Sequence, residues 1–95
     1  MYDNVLQKGK IGGVELKNRF VMPAMGSSHG EADGSAGDEL IEYYAARARG
    51  GFGLIITEFT CIDPPGKAIP GQLMIHSDDF VPGFRRLTVS LRPRR

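Results

Sequence analysis

The segment that most constrains the fold of this chain is a predicted helix enclosed by two short apolar runs. Residues 38–49 place apolar side chains at helical spacing, acidic residues near the start and arginines in the last turn, before two glycines. We expect this helix to begin at Asp38, which serves as its N-cap. Residues 19–22 and 53–57 are short and apolar and predict strands, the first of them buried on both faces. A strand, a crossover helix and a second strand predict a parallel βαβ unit.

Further strands are predicted outside this unit. Residues 10–17 form two alternating stretches around Gly-Gly, which predicts a β-hairpin, and residues 73–75 are expected to be extended. Two parallel strands cannot cover both of their faces or close their edges. The pattern therefore indicates the opening of a larger α/β domain, with exposed strands that make the chain prone to aggregation.

A second helix is predicted near the end of the chain. Asp78 or Asp79 is the expected N-cap, Pro82 falls in the first turn, and Pro93 is expected to end the helix. Its apolar stripe consists of Phe80, Phe84, Leu87 and Leu91.

Composition narrows the class of protein. The 95 residues allow one domain at most, and 41% apolar with 24% charged residues is typical of a globular protein. The chain has no run that could span a membrane and no N-terminal signal pattern, so we expect a cytoplasmic protein without a membrane partner. A single cysteine excludes an internal disulfide framework and a cysteine-cluster zinc site.

Charge is distributed unevenly along the chain. Residues 80–95 hold five arginines and no acidic residue, although the net charge of the chain is only +1. A basic tail is typical of nucleic-acid binding or of an altered C-terminus. We prefer the second interpretation, because a nucleic-acid module would usually also show aromatic residues or a known binding fold.

Several single residues could carry chemistry, and each has a structural alternative. His29 and His76 lie in or near loops but lack neighbours at metal-ligand spacing. Cys61 follows the second strand, where it could belong to a site or serve as a small packing residue. Glu58 could be a buried functional acid or could form an ion pair with an arginine such as Arg19.

The long loops indicate where a ligand would bind. Residues 23–37 and 59–77 both follow strands, and α/β proteins bind ligands at the carboxyl ends of parallel strands. The glycine-rich segment 50–53 lies between a helix and a strand, the reverse of the order in a phosphate-binding loop, and is interpreted as a helix stop. The start of the first loop is small and apolar and suits packing against a flat apolar ligand, although ordinary turn chemistry explains it equally well.

Several motifs in order resemble one known family. Residues 16–26 look like the first barrel strand of the old yellow enzyme family of FMN-dependent NAD(P)H oxidoreductases, and residues 38–58 resemble its first helix and second strand. Residues 72–73, 77–79 and 82–84 also fit. The resemblance covers residues from about 5 to 88 and is strongest to the branch of dienoyl-CoA and enoate reductases.

The resemblance implies a fold, a reaction and a set of cofactor contacts. The fold is α/β: a hairpin and a β-α-β-α unit that open a (β/α)₈ barrel with FMN at its C-terminal rim. Family members pass hydride from NAD(P)H through the flavin to the activated C=C bond of an enone, enoate or enoyl thioester. The carried-over flavin contacts are Pro23, Ala24, Met25, Gly26 and Phe59. Relatives often have a small residue at the last position, so Phe59 departs from the pattern.

The resemblance also sets the expected limits of the chain. Residues 1–88 would be the N-terminal part of the FMN-binding barrel and residues 89–95 a divergent Arg-rich tail. The family's pyrimidine-binding glutamine, its substrate-binding pair, its arginine and its phosphate site come later than these motifs. We therefore expect a truncated fragment, inactive alone. The alternative is a non-catalytic module that pairs through strand edges or binds nucleic acid through the basic tail.

Overall fold

The computed structural model describes residues 3–92 and contains three helices, six short strands and two 3₁₀ turns. Within residues 3–92, no helix is long and apolar enough to cross a membrane. The helices are α1 Asp3–Leu6, α2 Asp38–Arg49 and α3 Val81–Leu91. The strands are β1 Gly9–Ile11, β2 Val14–Leu16, β3 Val21–Met22, β4 Leu54–Ile55, β5 Thr60–Cys61 and β6 Leu73–Met74.

The predicted hairpin is confirmed. Strands β1 and β2 pair antiparallel with Ile11 opposite Val14, so a two-residue turn joins them. The side chains of Ile11 and Val14 are 57% and 62% exposed, so the hairpin adds little to the core of the described chain.

The predicted parallel βαβ unit is also confirmed. Strands β3 and β4 pair in parallel with Val21 opposite Leu54 and Met22 opposite Ile55. The ladder continues on both sides, where the Gly53 N–H donates to the Phe20 carbonyl and the Ile56 N–H donates to the Met22 carbonyl, each at 3.0 Å. Both strands therefore end at the same edge, with α2 as the crossover between them.

Helix α2 has the predicted bounds but a different cap. Gly37 is the N-cap and no side chain caps the helix, so the assignment of Asp38 as N-cap is wrong. Asp38 is the first helical residue, and its carboxylate forms an ion pair with Arg86 of α3. The helix ends as predicted at Gly50, and the following Gly51 has φ +112°, a conformation that favours glycine.

A second parallel pair lies beyond β4. Strand β6 confirms most of the predicted extended segment at 73–75, and it pairs with β5, with Cys61 opposite Met74. The sequence placed β5 inside the loop at 59–77, so this strand was not predicted. Two residues are too short for alternation to distinguish a strand from a loop.

Helix α3 begins after a 3₁₀ turn at Asp78–Phe80. The predicted caps are wrong, because Phe80 is the N-cap of α3 and both Asp78 and Asp79 lie within the 3₁₀ turn. Pro82 lies in the first turn of α3 as predicted. The predicted stop at Pro93 lies outside the described residues.

The core lies between the helices and one face of the β3–β4 pair. Its buried members come from β3, the first long loop, α2, β6 and α3: Met22, Ala36, Leu40, Ile41, Tyr44, Leu73 and Leu87. Met22 is 3% exposed whereas its neighbour Val21 is 43% exposed. The prediction that the first strand is buried on both faces is therefore wrong for this chain, because both long helices cover the same face.

Candidate functional site

The candidate site is the edge where β3 and β4 both end. Strand β3 leads into residues 23–26, and β4 leads through Thr57 and Glu58 to Phe59. Met25 is 48% exposed and Phe59 is 49% exposed, although both are large apolar residues. Pro23, Ala24 and Gly26 are exposed as well, so all five candidate residues lie on the accessible side of this edge.

Two of the five candidates touch each other. A Cβ atom on Gly26 would clash with Cε1 of the Phe59 ring. Gly26 therefore leaves room for the Phe59 ring, and any larger residue at position 26 would displace it. This contact joins the end of the first apolar loop segment to the residue that follows Glu58.

Glu58, the residue before Phe59, is buried and accepts hydrogen bonds from hydroxyl groups. It is 4% exposed, and its Oε2 accepts hydrogen bonds from Ser27 Oγ at 2.6 Å and Tyr44 Oη at 2.9 Å. The backbone N–H of Glu58 donates to Tyr44 Oη at 2.8 Å. Arg19 instead donates from Nε to the Lys8 carbonyl, so the ion pair considered from the sequence does not form between the described residues.

Tyr44 connects this carboxylate to helix α2. It is fully buried, and burial together with its hydrogen bond to Glu58 raises the pKa of the Tyr44 hydroxyl well above its ordinary value. The helical pattern of residues 38–49 places Tyr44 on the apolar face of the helix and does not predict this polar role. The signal was the hydroxyl itself, since a buried tyrosine usually finds a hydrogen-bond partner.

Ser27 connects the same carboxylate to the first loop, and it was also missed. Its Oγ donates to Glu58 and accepts the backbone N–H of His29 at 3.3 Å. The intervening Ser28 has φ +60°, a conformation that is uncommon for a residue other than glycine. Ser27 thus stabilises a tight local turn directly after Gly26.

The two long loops are joined by backbone hydrogen bonds. The Gly30 N–H donates to the Gly71 carbonyl at 2.9 Å, and the Met74 N–H donates to the Gly34 carbonyl at 2.9 Å. Lys67 Nζ adds a bond to the Ala32 carbonyl at 3.2 Å. The loops at this edge therefore form one connected layer over the ends of the strands.

The rings of the two histidines have different neighbours. His29 Nδ1 is 2.7 Å from Glu39 Oε1, and its ring lies 4.9 Å from the ring of Tyr43. The ring of His76 lies 4.8 Å from that of Phe80. Among the residues that the structure describes, no group of three His, Cys, Asp or Glu side chains could hold a metal ion.

Cys61 is buried and packs with two apolar side chains. It is 7% exposed and forms a small cluster with Met74 and Phe80. This environment favours the packing interpretation over a role at the site.

Comparison with known proteins identifies the family. The NADH:flavin oxidoreductase / NADH oxidase family matches residues 8–93. The chain belongs to this family, which confirms the resemblance found in the sequence. FMN is the cofactor of the family and NAD(P)H is its co-substrate.

Individual relatives agree with this assignment. The chain is 44% identical over 87 residues to an NADH oxidase from Thermoanaerobacter brockii, covering 90% of this chain and 13% of that protein. It is 42% identical over 81 residues to an NADPH dehydrogenase from Bacillus velezensis, covering 83% of this chain and 24% of that protein. The chain therefore spans a quarter or less of the length of these relatives.

Solved structures share the fold over almost the whole chain. A 2-naphthoyl-CoA reductase in complex with 2-naphthoyl-CoA superposes with a TM-score of 0.92 at 30% identity, covering 96% of this chain and 14% of that one. The old yellow enzyme from Pichia sp. AKU4542 superposes with a TM-score of 0.85 at 31% identity, covering 96% and 24%. The α/β arrangement of hairpin, βαβ unit and second helix is thus one that old yellow enzymes contain.

The candidate residues suit a flat aromatic cofactor. Residues 23–26 are small or apolar and are exposed. Gly26 has no side chain, and the Phe59 ring packs against it. An isoalloxazine has large apolar faces and polar edges, so it requires apolar contact and backbone hydrogen-bonding groups side by side. The described residues fit one side of such a site.

Proposed function

We propose that this chain forms one wall of the flavin site of an FMN-dependent NAD(P)H oxidoreductase of the ene-reductase type. The observation that carries the proposal is the edge formed by β3 and β4, where exposed residues 23–26 meet Phe59 within a chain that matches the family over residues 8–93. The complete fold would be a (β/α)₈ barrel with this edge at its C-terminal rim.

Each candidate residue has a distinct part in the proposed wall. Pro23 and Ala24 would present backbone to a flavin edge, because they follow β3 directly and are exposed. Met25 and Phe59 would contact the apolar ring faces, and Gly26 permits Phe59 its position. Bound FMN would supply the hydride transfer, while these residues orient the ring and exclude water from one side of it.

The substrate class is proposed from the relatives. The chain is 39% identical to an NADH:acrylate oxidoreductase from Vibrio harveyi, and a 2-naphthoyl-CoA reductase superposes on it. Both names describe conjugated acids or thioesters. We therefore expect the whole enzyme to reduce an activated C=C bond in an enone, enoate or enoyl thioester.

The 95 residues are proposed to lack turnover on their own. They span a quarter or less of the length of the relatives described above, and residues 23–26 are exposed in the described structure. A cofactor held on one side is exposed to water and poorly oriented, and catalysis depends on both orientation and exclusion of water.

The experiment measures flavin binding and turnover separately. The purified chain is titrated into FMN while flavin fluorescence and the visible spectrum are recorded, and NADPH-driven reduction of an enone is then assayed. We expect weak but specific binding that Gly26→Val abolishes, and no turnover above free FMN. Binding that is unaffected by Gly26→Val would contradict the assigned wall, and robust turnover would contradict the inactivity.

A second candidate function is association through the open strands. Phe20, Val21 and Ile56 lie in or next to the β3–β4 pair and are each more than 40% exposed. Within residues 3–92, this pair is a two-stranded sheet with an unpaired edge on both sides. Such edges pair readily with other chains. Sedimentation as a stable, folded monomer would contradict this candidate.

A further inference from the structure

The buried carboxylate of Glu58 joins three elements at one point. Ser27 comes from the loop after β3, Tyr44 from α2, and Glu58 itself from the segment after β4. Glu58 and Tyr44 are 4% and 0% exposed, so water has little access to their hydrogen bonds. A polar group buried in this way must be compensated by its partners, and here two hydroxyl groups provide that compensation.

The position of this junction in the chain links it to the candidate flavin contacts. Ser27 directly follows Gly26, and Glu58 directly precedes Phe59. Gly26 and Phe59 are the two candidates that touch. One carboxylate therefore restrains both sides of that contact, through Ser27 on one strand end and through its own backbone on the other.

If Glu58 only filled space in the core, a carboxylate would not be needed at this position. An apolar side chain of similar size would fill the space next to Tyr44 without the cost of burying a carboxylate. The carboxylate instead accepts a hydrogen bond from a loop residue whose neighbour, Ser28, adopts φ +60°. A local conformation of this kind persists only where its surroundings hold it in place, as occurs next to functional sites.

We propose that Glu58 is a positioning residue that holds the loop at 23–27 in its flavin-contacting conformation through Ser27, with Tyr44 fixing the carboxylate. This inference rests on the proposed function for its purpose, although the restraint itself can be measured without flavin. In this proposal Glu58 acts through Ser27 and not by contact with the cofactor.

The first test measures the loop without any cofactor. Amide hydrogen exchange is followed in the 95-residue chain and in Ser27→Ala, with Glu42→Gln, an exposed glutamate on α2, as the control. We expect exchange of the His29 amide to accelerate about tenfold in Ser27→Ala, as for the loss of one hydrogen bond, with the amides of α2 unchanged. Unchanged exchange at His29, or an unprotected His29 amide in the parent chain, would overturn the proposal.

The second test uses FMN affinity and rescue. Ser27→Ala should weaken FMN binding about tenfold, and Ser27→Thr, which keeps the hydroxyl, should restore it. Equal affinity in all three proteins would overturn the role of the restraint in binding. If the parent chain binds no FMN while Ser27→Ala still accelerates exchange at His29, the proposed function fails and the restraint stands.

The third test distinguishes hydrogen bonding by the Glu58 side chain from simple packing. Glu58→Gln keeps a carbonyl oxygen that can accept from Ser27 and Tyr44, whereas Glu58→Leu keeps only the volume. We expect the His29 amide to exchange as slowly in Glu58→Gln as in the parent chain. In Glu58→Leu we expect this amide to exchange about tenfold faster, even if that variant melts at the same or a higher temperature. Slow exchange in Glu58→Leu would show that packing suffices and would overturn the proposal.

Discussion

The two faces of the β3–β4 pair differ in what covers them. On one face Met22 is 3% exposed and packs into a core where Leu40 and Tyr44 are inaccessible to solvent. On the other face Val21 and Ile56 are 43% and 46% exposed. Successive residues of a strand point to opposite faces, so apolar residues at adjacent positions belong to a sheet that is covered on both sides. The described residues supply one of those covers.

This difference predicts where substitutions affect stability most. Leu40→Ala on the covered face should lower the free energy of unfolding by about 3 kcal/mol, because it leaves a cavity in a closed core. Ile56→Ala on the open face should lower it by less than about 1 kcal/mol, since the side chain already contacts water. Urea unfolding followed by circular dichroism measures both values. Equal losses would show that the open face is covered in solution.

The core on the covered face also contains the hydroxyl of Tyr44. This buried hydroxyl should make the free energy of unfolding sensitive to alkaline pH. Burial raises the pKa of Tyr44 in the folded state, so the unfolded chain releases this proton first, near pH 10. The stability that the raised pKa of Tyr44 contributes is therefore fully present below about pH 10. As pH rises further, the free energy of unfolding falls by at most about 1.4 kcal/mol per pH unit. Tyr44→Phe should reduce this alkaline loss and should cost about 1–2 kcal/mol at neutral pH, since Glu58 loses a hydrogen-bond donor.

Urea unfolding at a series of pH values from 8 to 11 measures this effect. Tyr43→Phe is the matched control, because it lies next in sequence on the same helix and leaves the Tyr44–Glu58 pair intact. An identical alkaline loss in the parent chain and in Tyr44→Phe would contradict the assignment.

Much of the structure that forms the covered face, helix α2 and the β3–β4 pairing, could be predicted from the sequence. Helix α2 has a clear apolar face, charges placed favourably for its dipole and a glycine stop, and its bounds were predicted as observed. The parallel pairing of β3 with β4 followed from the crossover rule. These features are local or follow from the order of elements, which is why sequence patterns are sufficient to find them.

The polar contacts at the edge could not be predicted in the same way. Ser27 and Glu58 are 31 residues apart, and only the folded arrangement brings them to 2.6 Å. Capping also depended on tertiary context, because Asp38 forms an ion pair with Arg86 and does not cap its helix. Strand β5 has two residues and is defined only by its pairing with β6. Each of these features depends on a partner distant in sequence.

The open face predicts a tendency to self-associate. A single charge there, in Ile56→Lys, should reduce association several-fold and change the free energy of unfolding by less than about 0.5 kcal/mol, since charged residues are used to protect exposed strands. Sedimentation velocity at several protein concentrations measures the association. Thr88→Lys, at an exposed position of α3, adds the same charge outside the strands and is the matched control. Equal effects of the two substitutions would show that net charge, and not the open face, controls association.

The smallest expected effect lies outside both faces, in the turn at Asp33. The Ser35 hydroxyl and the Ser35 backbone N–H donate to Asp33 Oδ1 at 2.6 Å and 2.9 Å, and these bonds lower the pKa of the Asp33 carboxyl. A lowered pKa in the folded state contributes stability above the unfolded value of about 3.9, and this contribution is lost as pH falls through the folded pKa. Ser35→Ala removes the hydroxyl donor and should move the pKa back toward its ordinary value, as measured by NMR titration of the carboxyl carbon. Because the carboxyl is exposed, unfolding at neutral pH should change far less than in Leu40→Ala. A comparable change would mean that this turn, and not the covered face alone, determines the stability of the chain.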